Sequence, residues 1–173
     1  TTGDRNTIVG GLAGDSLTTG QKNVAIGTGA LSDDDVGSRS VAVGDSALAA
    51  QNFATATDTY NTAVGNNAGL SVTTGQNNTF VGGLCGDGTD DGANNTAVGR
   101  SALSANCGDN NVAFGYQAAL ILTGSDNVFI GTSAGVKATS GGVNLLIGSS
   151  AGAIQERHNK FYSWLVVHQC TTT

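Results

Sequence analysis

The 173 residues contain no proline or methionine, a single tryptophan and few leucines or phenylalanines. A chain of this kind cannot fill an ordinary core between two sheets, because too little large apolar volume is available. Only seven lysines and arginines stand against thirteen acidic residues, a net charge of −6. That balance argues against binding nucleic acid, which needs clustered cations to displace counterions from phosphate. The sequence shows no signal peptide and no apolar run long enough for a transmembrane helix, so no membrane insertion is expected of this segment. Three cysteines make no disulfide framework. Histidine is missing until His158 and His168, so no catalytic, cofactor or metal set can be assembled from the first 152 residues on a histidine. No Walker-type phosphate loop occurs. We therefore expect no enzyme, no cofactor and no metal.

What the sequence has instead is glycine, 27 residues of it, set in a repeat. The stretch NTAVGNNAGLSVTTGQNNTFVGGLCG (61–86) writes the phrase N-T-x-V-G-x-x-small-G twice, seventeen residues apart. Aligned on the glycine after the apolar pair, the anchors are Gly10, Gly27, Gly44, Gly65, Gly82, Gly99, Gly115, Gly131 and Gly148. Position −4 from the anchor is Asn6, Asn23, Asn61, Asn78, Asn95, Asn111, Asn127 or Asn144, with Ser40 the one exception. Position +3 is Ala in every unit but one, where it is Cys85, which reads as a buried alanine substitute. A second glycine recurs at −7, and Asp58 replaces it in the one long unit. Periods of this length mark solenoids.

Each unit holds one short strand rich in β-branched residues, such as Thr62–Val64 or Val128–Ile130, bounded by turn formers. Sixteen or seventeen residues are too few for a helix pair but enough for one coil of a parallel β-solenoid. The expected fold is all-β: a parallel β-roll of about nine coils over residues 1–152, followed by a cap or neck at 153–173. In that tail Ile154, Phe161, Trp164, Leu165 and Val167 are suited to covering the last coil. The missing Met and a start inside a repeat imply that further chain precedes Thr1. Anchor glycines allow positive φ or close approach at turns, and the Asn column is expected to stack as a ladder, its alternative being a row of ligand-binding amides.

Strand side chains alternate in direction. The −3 and −1 positions, such as Val24 and Ile26, are taken as the coil interior. The opposite column is then a candidate subunit interface: Ile8, Ala25, Ala42, Ala63, Phe80, Ala97, Ala113, Phe129 and, in the ninth unit, Leu145. An apolar stripe of that length calls for burial, and a closed homo-oligomer supplies it. The acidic segments SDDDVGSR (32–39) and DGTDDGAN (87–94) read as solvated loops, with calcium binding as the alternative.

Repeats such as Asn23-Val-Ala-Ile-Gly27 and Asn61-Thr-Ala-Val-Gly65 resemble the head repeats of trimeric autotransporter adhesins and the similar repeats of bacteriophage tail-fibre proteins. The resemblance spans about residues 3–152. It implies a left-handed homotrimer, extracellular on a bacterial surface or on a virion tail fibre, used for host attachment through loops that meet a surface receptor or glycan. The competing expectation is a monomeric ligand- or ice-binding β-solenoid, in which rows of Thr order water; in the TTG connectors those rows are broken.

Overall fold

The computed structural model describes residues 3–152, and the expected cap at 153–173 lies outside the described residues. The strands are β1 (Thr7–Val9), β2 (Val24–Ile26), β3 (Gly37–Ser38), β4 (Val41–Val43), β5 (Thr57–Asp58), β6 (Thr62–Val64), β7 (Thr79–Val81), β8 (Thr96–Val98), β9 (Val112–Phe114), β10 (Val128–Ile130) and β11 (Leu145–Ile147). Nine of them form one parallel sheet in chain order, β1-β2-β4-β6-β7-β8-β9-β10-β11, and β3 pairs with β5 in a second. Among the described residues there is no helix. The chain is a β-solenoid.

Register follows the repeat: Ala63 lies opposite Phe80 and Phe80 opposite Ala97. Stacking continues around the turns, where the Gly14 N–H donates to Ala30 O (2.9 Å) and the Leu31 N–H to Ala47 O (2.9 Å). A strand three residues long is too weak to stand alone, but here its neighbours on both sides are copies of itself. Left-handed backbone at fixed positions closes each coil: Leu31 (φ 54), Leu48 (φ 50) and Leu103 (φ 51) all occupy the fourth residue after an anchor. That conformation costs a leucine about 1–2 kcal/mol. Burial of the whole side chain, complete in all three, returns about 1.5–3 kcal/mol and offsets it.

At the anchors glycine is required. Gly65 has φ +141, and a Cβ there would lie 2.5 Å from the carbonyl oxygen of Gly82 on the next coil.

The interior is the reverse of the expected one. Ala25, Ala42, Ala63, Phe80, Ala97, Ala113 and Phe129 are all 0% exposed and line the inside of the coil. Val64 is 37% exposed and Phe114 42%. The column assigned to a subunit interface is therefore the core of each chain, and the −3/−1 face lies outside. Ile8 is 43% exposed because it belongs to the first described coil. The ninth unit also needs a register correction: Leu146, not Leu145, lies opposite Phe129, while Leu145 pairs with Val128 on the outer face. β-Branched residues suit either side of a pleated sheet, so their presence did not identify the inside. The narrow coil selects for small residues.

Volume inside is shared between two positions. Where the strand contributes Phe80, Phe129 or Leu146, the left-handed position of the same coil is Gly86, Gly135 or Gly152, and each of those glycines packs directly on that side chain. A Cβ on Gly86 would stand 2.5 Å from Phe80 Cδ1. Where the strand contributes Ala25, Ala42 or Ala97, the position is Leu31, Leu48 or Leu103. Ala63 faces Gly69, where Leu48 and Phe80 reach in from the adjoining coils. Seven of the nine coils thus carry one large side chain at these two positions, whereas Ala63 with Gly69 and Ala113 with Ala119 carry none, and the exchange keeps the interior filled as close packing demands.

Candidate functional site

Three features rise from this framework: a buried ladder, a polar break in it, and an exposed sheet face. In the ladder the Asn78 N–H donates to Asn61 Oδ1 (2.9 Å), Asn78 Oδ1 accepts from the Asn95 N–H (2.9 Å), and Asn78 Nδ2 donates to Gly92 O (2.8 Å). The same pattern joins Asn6 to Asn23 and runs from Asn95 through Asn111 and Asn127 to Asn144. Asn23, Asn61, Asn78, Asn95, Asn111 and Asn127 are buried. They tie the strand start of one coil to the turn of the next, and burial withholds them from any ligand.

Ser40 interrupts this ladder, and a side chain from elsewhere fills the gap. Gln51, in the long coil, donates from Nε2 to Ser40 Oγ (2.8 Å) and to Asp34 Oδ2 (2.6 Å), while its Oε1 accepts from Asn61 Nδ2 (2.9 Å). Asp34 Oδ1 accepts from the Gly37 N–H (2.9 Å), and the Ser40 and Thr59 hydroxyls lie 2.6 Å apart. All five polar side chains are buried. The reading of residues 32–39 as a solvated loop is thus corrected at Asp34, which faces inward where other coils place Leu17 or Val72. An inward acid is tolerated there because each of its oxygens accepts a hydrogen bond from an amide donor.

Desolvation raises the Asp34 pKa above its ordinary 3.8, against the lowering effect of the Gln51 and Gly37 hydrogen bonds. The folded state thus holds this proton more tightly than the unfolded chain. Its stabilising contribution is complete below the ordinary aspartate value and is lost as pH rises through the raised one. Thermal melts of the native chain and Asp34→Asn, taken from about pH 4 to about pH 7, should show the native chain losing ground to the variant as pH rises. A difference constant across that range would remove Asp34 as a titrating group.

Cys85 and Cys107 are both buried and unpaired. Burial pushes the Cys85 thiol up to about 12, so it is inert packing, in the alanine column where the sequence reading put it. Cys107 sits beside the Thr89 hydroxyl (3.3 Å) at an inner corner.

The outer face carries the −3 and −1 columns of nine in-register strands. At strand spacing it runs about 40 Å by roughly 10 Å. Val9, Ile26, Val64, Val81, Phe114, Ile130 and Ile147 are exposed along it. Tyr116, two residues after Phe114, is exposed as well. Thr7, Thr62, Thr79 and Thr96 share this face, and a strip of roughly 400 Å² lies within the range that a monomer leaves open to water. Away from this face, a shallow open groove is lined by Asp33, Leu70, Ser71, Thr73, Asp90 and Asn106. Among the described residues no three His, Cys, Asp or Glu side chains come together as a metal set.

The fold and the ladder define the class, a parallel β-solenoid built on an internal asparagine column. Compared with known proteins, the chain matches no family model, no curated protein and no solved structure.

Proposed function

We propose that this chain is a length of extracellular attachment fibre, from a bacterial surface or a virion tail, that assembles as a homotrimer through its outer sheet face and presents its connectors to a receptor. The observation behind this reading is the outward face of nine aligned strands, on which the −1 position of every strand is apolar. Burying such a face between copies removes it from water along the whole rod, and cyclic symmetry lets every coil repeat the same contact. The repeat phrase that resembles adhesin heads and phage fibres points the same way.

Mass in solution tests the assembly. Light scattering should give about three times the 17.1 kDa of one chain for the native protein, and Val81→Asp should yield a folded monomer, because it charges the outer face. Ser71→Asp, on a connector, should leave the trimer intact. A native monomer, or a trimer that survives Val81→Asp, would refute this interface.

A second reading is kept alive by one detail. Thr62, Thr79 and Thr96 align on the outer face beside Val64, Val81 and Val98, a flat hydroxyl-and-methyl array of the kind that can order water. Val41 and Val112 end the threonine row on either side. Thermal hysteresis from the native monomer would promote ice binding over the fibre.

A further inference from the structure

The fifth residue before each anchor forms a column at a corner of the rod: Arg5, Lys22, Arg39, Tyr60, Asn77 and Asn94 stand on its first six coils, and Asn110, Asp126 and Val143 complete it on the last three. Backbone hydrogen bonds lock the row coil by coil: the Lys22 N–H donates to Asp4 O (3.1 Å), the Arg39 N–H to Gln21 O (3.0 Å), the Asn77 N–H to Thr59 O (2.8 Å) and the Asn94 N–H to Gln76 O (2.9 Å). The first six all have left-handed backbone, and all of them but the half-buried Arg39 are exposed. Successive side chains therefore recur at about 4.8 Å, one per coil. Three of the five lysines and arginines among residues 3–152 stand in this one row. Like charges at adjacent coils repel one another, so folding alone does not favour the arrangement.

We propose that this row binds an acidic polysaccharide laid along the rod, one with a carboxylate on its sugar units. The order of chemistry fits such a chain. Three cations meet the carboxylates, the exposed Tyr60 ring offers an apolar face for a sugar to stack on, and the Asn77 and Asn94 amides meet hydroxyls. Arg39 is held in place for this role: its Nε lies 2.8 Å from Asp58 and its guanidinium sits 5.6 Å from the centre of the Tyr60 ring. The contact is an ion pair and not a hydrogen bond, since Nε has no hydrogen-bond partner. Arg5 lies 3.8 Å from Asp4, and Lys22 makes no ion pair among the described residues. The remaining surface is acidic overall and repels a polyanion, which directs it to this row. A single chain carries all of these groups, so the inference does not depend on the trimer.

The test is binding of a fluorescent oligogalacturonate to the full chain at low salt, with a neutral maltooligosaccharide and a polyphosphate of similar length as comparisons. We expect the uronate to bind and the neutral sugar not to. Lys22→Glu and Tyr60→Ala should each weaken binding by about tenfold, and Arg100→Glu, a cation elsewhere on the rod, should not. No binding of the uronate would overturn the proposal, as would equal losses from Arg100→Glu and Lys22→Glu. Polyphosphate binding more tightly with no effect of Tyr60→Ala would overturn it too, in favour of unspecific anion attraction. Light scattering on the same samples reports the oligomer separately: a monomer that binds uronate sustains the row and refutes the fibre assembly.

Discussion

Phe80→Ala is expected to lower the free energy of unfolding by about 3–5 kcal/mol, the cost of emptying a fully packed aromatic site. Phe80 is 0% exposed and fills the space that Leu103 or Leu48 fills in other coils. The interesting outcome lies in its partner. Gly86→Leu alone should also destabilise the protein, because its Cβ would already lie 2.5 Å from the Phe80 ring. Combined, the two substitutions recreate the arrangement of Ala97 with Leu103 one coil further on, which the chain itself uses. The double variant should therefore recover most of the loss, with a favourable coupling of about 2–3 kcal/mol between the sites. Denaturant midpoints of the four proteins measure it. Simple addition of the two single losses would show that the large-for-small exchange across the coil is not what sets the core.

Asn78→Ala is the second large effect. It removes the acceptor for the Asn95 N–H and the donor for Gly92 O, leaving two buried backbone groups without partners. Each unpaired group costs about 1–3 kcal/mol, so a loss of roughly 2–6 kcal/mol is expected. Asn66→Ala, at an exposed position whose amide makes only a 3.3 Å contact with Asp45, should change stability by no more than about 0.5 kcal/mol. Hydrogen exchange gives a local readout: the Asn95 amide should lose protection in Asn78→Ala and keep it in Asn66→Ala. Equal midpoints for the two variants would sink the ladder as a source of stability.

The break in the ladder shows how far such a column tolerates exceptions. With Ser40 in place of Asn, the missing amide is supplied by Gln51, which belongs to the coil with the four extra residues. A repeat alignment flags Ser40 as the exception and the long coil as irregular. It does not connect them, because the link depends on Gln51 turning inward beside Asp34. The acidity of residues 33–35 likewise suggests solvent, and only the donors gathered at Asp34 make its burial tolerable.

The period of the glycines and asparagines was enough, by itself, to establish a parallel solenoid, the position of the nine stacked strands and the register of all but the last, where Leu145 was taken for Leu146; the short β3–β5 pair beside the long coil was not legible in it. In a stacked repeat a strand's neighbours are its own copies, so spacing along the chain translates directly into pairing in space. Which face of those strands is inside was decided only in three dimensions. Alternation divides a strand into two faces but does not rank them when both are apolar. The ranking comes from the left-handed turns that bend the chain and from the volume left between opposite walls. In that narrow space Ala63 opposite a glycine fits where a row of valines and isoleucines would not, and so the β-branched columns were left on the outside.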